Sequence, residues 1–326
     1  MFDRRRFSVR LAFAALACCF SADVALAQTY PTRPIRLIVG YAPGGINDQM
    51  ARIIAEIMGK ELGQQIVIEN KPGAGTAVAS TFVAQSDPDG YTVLLGTVSL
   101  AINPALSPKL TPKNPLTELM PVGLALQSPF YLILAKSLPI NTVGELIAYA
   151  KANPGKLNIG SAGNGSSSHL VLELFNNRAD TKMTHLPYRG AAPMVLDIIA
   201  GRLDGAFATP VDASPALEGG GGKAIAVSSL EPISLRPDLP PVAKTLPDFK
   251  GVFWAGLFVA PQTPAPIVAI LSKALATATA DPALKAKAAE RGVTMLTGGP
   301  DALRDLLTSE TEIWGKLIRD ANIRGE

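Results

Sequence analysis

Short apolar runs alternate with longer amphipathic segments along the first third of the chain. The runs 36–39, 66–69 and 91–95 are brief and rich in branched side chains, which is typical of buried strands. Between the first two runs, apolar side chains recur at helical spacing, at Met50, Ile53, Ile54, Ile57, Met58 and Leu62. This order of strand, helix, strand, helix and strand predicts parallel strands with right-handed crossovers.

A second series of elements begins near residues 122–135, where two apolar runs flank Ser128 and Pro129. Helices and strands alternate from there to residue 227, and a proline-rich stretch, 232–247, precedes an apolar run at 252–259 and the C-terminal helices. We therefore predict an α/β fold of two lobes, each a mainly parallel sheet flanked by helices, with two chain crossings. The expected lobes are residues 28–128 with 249–326, and residues 129–248.

The first 27 residues have the pattern of an export signal. Arg4–Arg6 and Arg10 give a basic start, an apolar stretch follows to residue 22, and Ala25–Ala27 forms a small-x-small cleavage site. Cleavage is expected after Ala27. The arginine run fits an ordinary secretory signal and a twin-arginine signal about equally, so the export route stays open.

Composition narrows the function classes. Both cysteines, Cys18 and Cys19, fall within the export signal, so the mature chain has no thiol or disulfide chemistry. Without the four arginines and two aspartates of residues 1–27, the remainder carries 26 basic and 25 acidic side chains, a net charge of +1. We find no dense basic patch interleaved with aromatic residues, which argues against nucleic-acid binding. No later stretch has the length and low charge of a membrane helix.

Two glycine-rich turns carry the candidate chemistry. Each joins a predicted strand to a predicted helix, one at Gly40–Asp48 and the other at Gly160–His169. Backbone N–H groups at a helix N-terminus lack partners and carry partial positive charge, so each turn is a potential anion site. Two such turns in separate lobes favour a receptor that grips one anionic molecule over a catalyst.

Enzymatic alternatives find weaker support. Ser167 and His169 invite a hydrolase interpretation, but a hydroxyl so near a helix start is more often a cap, and no G-x-S-x-G turn is present. Gly73–Val78 resembles a dinucleotide-binding turn, yet Val78 stands where glycine or alanine is needed. We find no cluster of zinc-binding side chains, and we expect no metal and no cofactor.

Several ordered motifs make the chain resemble the tripartite tricarboxylate transporter substrate receptors, also called Bug receptors. The segment 43–52 matches the opening P-G-G-x-x-D-x-x-A-R of that family. Further matches are at 69–75, 88–91, 102–104, 161–170 and 187–193, so the resemblance covers nearly the whole mature chain. It implies a type II-like periplasmic binding protein that closes on a small carboxylate, is not an enzyme, acts as a monomer, and has a membrane permease as a possible partner.

In this family, loops of both lobes hold the carboxylate through main-chain amides, hydroxyls and bridging water. Carried onto this sequence, the resemblance and the turns give one set of expected ligand-binding residues: Tyr41, Gly44, Gly45, Asn47, Asp48, Thr97, Ser99, Ala162, Gly163, Ser166, Ser167, Tyr188, Arg189, Gly190 and Ala208. Arg189 fits a partner for the carboxylate and a solvated loop charge equally well.

One position departs from the family. Members often have an aspartate directly after the phenylalanine of the strand near residue 207, where it can meet a ligand's ammonium group. Here Ala208 follows Phe207. Because an ammonium group without a partner is costly in a closed cleft, we hypothesise a ligand without an amino group.

Overall fold

The computed structural model describes residues 30–324 and contains two β-sheets. The first sheet has the strand order β11-β4-β10-β3-β1-β2. Its members are β1 (Ile35–Val39), β2 (Ile66–Asn70), β3 (Thr92–Thr97), β4 (Met120–Pro129), β10 (Val252–Val259) and β11 (Thr294–Met295). The second sheet has the order β7-β6-β8-β5-β9. Its members are β5 (Tyr131–Ala135), β6 (Asn158–Ser161), β7 (Thr184–Pro187), β8 (Gly205–Ala208) and β9 (Gly222–Val227).

Each sheet is the centre of one lobe, which confirms the predicted two-lobed α/β fold. The chain crosses from the first sheet to the second between β4 and β5, and returns between β9 and β10. The arriving strands β5 and β10 pair antiparallel with both neighbours. The sheets are therefore mixed, because a strand that enters from the other lobe runs against the parallel set. The exact lobe boundaries, 28–128 with 249–326 and 129–248, stay a prediction.

Helices flank both sheets. They are α1 (Ile46–Leu62), α2 (Ala77–Ala84), α3 (Ser99–Leu106), α4 (Pro115–Glu118), α5 (Val143–Ala152), α6 (Ser167–Ala179), α7 (Ala191–Ile199), α8 (Pro210–Glu218), α9 (Ala265–Ala280), α10 (Pro282–Ala289) and α11 (Pro300–Asp320). Several ends follow the sequence signals, since Gly63 ends α1 in the left-handed region and Thr142 caps α5. The sequence analysis did not predict α3, which has 8 residues, or α8, which has 9.

Aromatic packing joins the second lobe to the returning chain. The rings of Phe175, Phe207 and Phe249 are fully buried, with centroids 5.9 to 6.0 Å apart. Phe175 lies on α6, Phe207 on β8, and Phe249 in the segment before β10. This cluster fixes the end of β8 against the return segment, and β8 ends at the cleft.

The predicted export signal, residues 1–27 with cleavage after Ala27, lies outside the described residues. Within residues 30–324 no single helix is long and apolar enough to cross a membrane, although α9 and α10, bent by 60° to each other, meet that test as a pair by length and composition.

Candidate functional site

A cavity of about 30 Å³ lies between the lobes, at the ends of their strands. Its first-lobe wall consists of Tyr41, Ala42, Gly45, Ile46, Asn47 and Phe253. The wall on the other side consists of Phe130, Ala162, Ser166, Ser167, Ser168, Ala191, Met194, Phe207, Ala208, Thr209 and Asp212. A volume of this size holds a few water molecules, so the two lobes are close together in this structure.

Seven of the residues expected from the sequence form part of this wall. They are Tyr41, Gly45, Asn47, Ala162, Ser166, Ser167 and Ala208. Eight others lie outside the wall: Gly44, Asp48, Thr97, Ser99, Gly163, Tyr188, Arg189 and Gly190. Their hydrogen bonds show what several of these eight do in the fold.

Thr97 and Ser99 hold Tyr41 in place. The Tyr41 hydroxyl lies 3.0 Å from Ser99 Oγ and 3.4 Å from Thr97 Oγ1. All three residues are buried, and desolvation raises the pKa of the Tyr41 hydroxyl. Two hydroxyl groups thus orient a third at the cavity wall.

Asp48 shapes the first-lobe turn from behind. Its carboxylate accepts hydrogen bonds from Gly44 N at 3.1 Å, from Asn70 Nδ2 at 3.1 Å and from Arg52 at 2.8 Å. Burial raises the pKa of this carboxyl, but these donors outweigh burial and the net pKa is lowered. Asp48 and Gly44 therefore form the support of the turn, and Gly45 and Asn47 form its cavity face.

The second-lobe turn satisfies many of its own amides. Ser166 caps α6 by accepting from His169 N at 3.3 Å, and Ser168 Oγ accepts from Ala162 N at 3.0 Å. Gly163 N donates to Ser161 Oγ at 3.1 Å. In contrast, the side chain of Ser167 makes no hydrogen bond within residues 30–324, although it is buried and lines the cavity. Its hydroxyl is available to a ligand.

The two histidines pack behind this turn. Their rings stack with centroids 3.9 Å apart, and burial lowers the pKa of His169 to about 3 and that of His185 to about 4. His169 Nδ1 accepts from Gly165 N at 3.3 Å, and its Nε2 lies 3.9 Å from Glu173. Both ring nitrogens thus face groups other than Ser167, so the structure does not form a Ser–His pair for hydrolysis.

The loop of Tyr188, Arg189 and Gly190 contacts the first lobe through its main chain. The Arg189 carbonyl accepts a hydrogen bond from Ala42 N at 3.2 Å, while the Arg189 side chain is exposed. The Tyr188 hydroxyl donates to Asp197 at 2.8 Å, and desolvation together with that carboxylate raises the pKa of Tyr188 to about 12. In this closed arrangement the loop borders the site without lining it.

Asp212 is the main site residue that the sequence analysis missed. Thr209 caps α8 and accepts from Asp212 N at 3.3 Å, while its hydroxyl donates to Asp212 Oδ2 at 2.7 Å. Asp212 Oδ1 accepts from Ile46 N, at the start of α1 in the other lobe, at 2.8 Å. The sequence contains a pattern that is typical of a helix start, Thr209-x-x-Asp212 with Pro210 at the first helical position, and this pattern could have indicated α8.

Asp212 changes the interpretation of Ala208. The hypothesis of a ligand without an amino group rested on Ala208 in place of the family's aspartate, which would leave an ammonium group without a partner. Asp212 lies in the wall four residues further on and can serve as that partner. Some of its surface stays accessible, yet the surrounding protein desolvates the carboxyl enough to raise its pKa.

One further polar atom in the wall lacks a partner. Asn47 is 8% exposed, and its Oδ1 is buried without a hydrogen bond. Buried polar groups normally have partners, so an unpaired acceptor in a cavity wall indicates a missing donor.

Two glycines, Gly75 and Gly165, allow the two lobes to approach each other closely. Gly75 has φ +57°, and a Cβ there would overlap the carbonyl oxygen of Asn164 in the other lobe. Gly165 has φ +72°, and a Cβ there would overlap Oδ1 of Asn103. Asn103 Nδ2 also donates to Gly75 O at 2.8 Å. The turn that resembled a dinucleotide site is thus an inter-lobe contact.

No group of three or more His, Cys, Asp and Glu side chains that could hold a metal ion occurs among residues 30–324.

Comparison with known proteins places this arrangement in a family. The sequence model described as "Tripartite tricarboxylate transporter family receptor" matches residues 50–323. The periplasmic binding protein BugD superposes with a TM-score of 0.86 at 32% identity, over 91% of this chain and 100% of that one.

Two structures from Rhodopseudomonas palustris have the same fold as this chain. Rpa4515 with adipate has a TM-score of 0.87 at 30% identity, over 90% of this chain and 99% of that one. MatC with bound malate has a TM-score of 0.84 at 32% identity, over 89% of this chain and 100% of that one. The family is one of receptors and not of enzymes, and these structures confirm the predicted periplasmic binding protein fold. The chain belongs to the receptors of the tripartite tricarboxylate transporter family.

Proposed function

We propose that this receptor captures a small organic carboxylate in the cavity between its lobes. The observation that carries the proposal is the set of polar groups in the wall of that cavity, to which both lobes contribute. The first lobe offers Tyr41 and the turn at Gly45–Asn47, and the second offers the unpaired hydroxyl of Ser167 at the start of α6. Helix N-termini and hydroxyl groups are suited to hold a carboxylate.

The relatives support this ligand class. Rpa4515 was solved with adipate and MatC with malate, which are carboxylates of four to six carbons. Both proteins share about a third of their residues and nearly the whole fold with this chain. A carboxylate of similar size is therefore the ligand we propose here.

The expected ligand-binding residues divide into two groups in this proposal. Six of the seven wall residues contact the ligand directly, and the seventh, Ser166, caps α6. Thr97, Ser99, Gly44 and Asp48 position them, and the loop of Tyr188, Arg189 and Gly190 reaches the ligand only when the lobes change their separation. Gly163 allows the close turn before α6, where φ is +134°.

Ligand capture proceeds by hinge closure across the two chain crossings in this proposal. A ligand stabilises the closed form only by its higher affinity for that form than for the open one. The small cavity and the inter-lobe hydrogen bonds at Ile46 and Ala42 fit the closed end of this motion.

Membership of the family supports a proposal for the location and the partners of this receptor. BugD is a periplasmic binding protein, and we propose export to the periplasm with cleavage after Ala27. We further propose that the receptor acts as a monomer and delivers its ligand to a membrane permease of the family, or serves as a sensor where no such permease exists.

A thermal-shift screen tests the function. The mature protein is heated with a panel of three- to seven-carbon carboxylates, with and without amino groups, and with the corresponding uncharged amides as controls. A carboxylate at a hundred times its dissociation constant should raise the melting temperature by about 5 °C. Equal shifts from the amides, or no shift from any carboxylate, would contradict the proposal.

A further inference from the structure

The cavity wall contains a negatively charged side chain, which is unusual for a site that receives an anion. Among the described residues that line the cavity, Asp212 alone has a charged side chain, and none of them is a lysine, arginine or histidine. A plain carboxylate would therefore enter beside a fixed carboxylate. At a separation of about 5 Å and an intermediate dielectric, that repulsion costs roughly two orders of magnitude in affinity.

Asp212 also fills part of the first-lobe anion site. Its Oδ1 accepts from Ile46 N, which is one of the N–H groups that the sequence analysis offered to the ligand. No side chain within the turn caps α1, so Asp212 of the other lobe takes that place. Gly45 makes the approach possible, because a Cβ there would lie only 3.2 Å from Oδ1. A carboxylate of the protein itself therefore occupies the potential anion site at the first-lobe turn.

Two residues of the same wall can accept further hydrogen bonds. Each oxygen of Asp212 accepts one hydrogen bond from the surrounding protein and can accept another. Asn47 Oδ1 is buried and accepts none. Tyr41 lines the same cavity, so these groups face a common space. An ammonium group in this space would donate to these acceptors and would also neutralise Asp212.

We propose that the receptor selects a carboxylate that carries an amino group, with its ammonium donating to Asp212 and Asn47 Oδ1 and its carboxylate held at Ser167 and the start of α6. This inference rests on the proposed function and names the ligand class of the same site. Asp212 is then the specificity-determining residue.

The test compares ligands that differ only at one carbon. The tightest amino carboxylate of the panel is measured by titration calorimetry beside its hydroxy and unsubstituted analogues, as in aspartate, malate and succinate, or alanine, lactate and propionate. We expect the amino member to bind at least about 30-fold more tightly. If a hydroxy or unsubstituted member binds as tightly or more tightly, the inference is wrong and the proposed function stands. If no carboxylate of any kind binds, both fail.

A pair of variants locates the effect. Asp212→Asn keeps the shape of the side chain and removes its charge, so it should abolish the preference for the amino member. Asp180→Asn is the control, because Asp180 is an exposed residue of the same lobe in the left-handed region, which asparagine tolerates. An unchanged preference in Asp212→Asn would overturn the inference.

Proton uptake by the unaltered protein provides a second readout that does not depend on the fold of a variant. Titrations at one pH in buffers of different ionisation enthalpy give the number of protons taken up on binding. An amino carboxylate should bind with almost no uptake, since its ammonium already neutralises Asp212, whereas any other carboxylate that binds should take up close to one proton. Uptake of a full proton with the amino carboxylate would contradict the proposal.

Discussion

Ser166 and Ser167 are adjacent serines with different roles. The Ser166 hydroxyl accepts from His169 N and caps α6, so it is part of the fold. The Ser167 hydroxyl has no partner within the described chain and faces the cavity. Both are buried serines that line the cavity, and their side-chain hydrogen bonds distinguish them. This contrast provides an internally matched test of the site.

Ser167→Ala should weaken ligand binding about 3- to 10-fold and leave stability almost unchanged, because one neutral hydrogen bond to the ligand is lost. Ser166→Ala should lower the free energy of unfolding by about 1 kcal/mol through loss of the cap. Titration calorimetry and urea unfolding measure the two effects. Equal losses of affinity and stability in both variants would contradict the division of roles.

At the scale of elements, the sequence predicted the helices in which apolar residues recur with regular helical spacing. It did not predict α3 and α8. Helix α1 was recognised because six apolar residues recur on one face. Helix α8 was not predicted, although Pro210 stands at the favourable first position of the helix. Asp212 was missed with it, since its partner Ile46 is 166 positions away and no local pattern connects them.

Loop glycines at the lobe contact give a second test. Gly75→Ala places a methyl group against the Asn164 carbonyl and should hold the lobes apart, with a loss of at least about tenfold in affinity. Gly155→Ala is the control, because Gly155 has a similar φ of +75° but nothing within 4 Å. Both variants bear the same backbone strain of about 1–2 kcal/mol.

Small-angle scattering with and without ligand, together with calorimetry, distinguishes the two glycine variants. Only Gly75→Ala should keep a larger radius of gyration in the presence of ligand. Closure of that variant to the same radius as the unaltered protein would show that the Gly75 contact is not needed for the closed form.

At the scale of the whole molecule, the motifs predicted the two lobes, the crossings and the location of the site between them. Which of the expected residues face the cavity depends on how the two lobes meet. Thr97 and Ser99 act through Tyr41, and Arg189 is exposed and does not line the cavity, because side-chain placement depends on packing across the cleft. Sequence spacing within one lobe carries no information about that packing.

The stacked histidines predict a pH dependence of stability. The chain has two histidines, and burial lowers the pKa of His185 from 6.5 to about 4 in the folded state. The unfolded state therefore binds more protons between these values, and stability falls as the pH falls below 6.5. Glu173 and Asp212, with raised pKa values, contribute with the opposite sign.

The contribution of His185 to stability can be isolated by comparing how the unfolding free energy changes with pH in the unaltered protein and in a variant. Between pH 6 and pH 5 the unaltered protein should lose about 1 kcal/mol more unfolding free energy than His185→Phe, which keeps a stacked ring and cannot titrate. Urea unfolding at both pH values measures this difference. Identical slopes would show that His185 is not held neutral by burial.

The central claim is that one carboxylate is held between the two lobes by groups from both. A crystal structure of the mature protein with the strongest ligand of the panel tests it most directly. We predict one ligand in the cavity, with its carboxylate at Ser167 and the start of α6 and with Tyr41 and Asn47 of the other lobe in contact. A ligand bound on one lobe alone, or outside this cavity, would contradict the account.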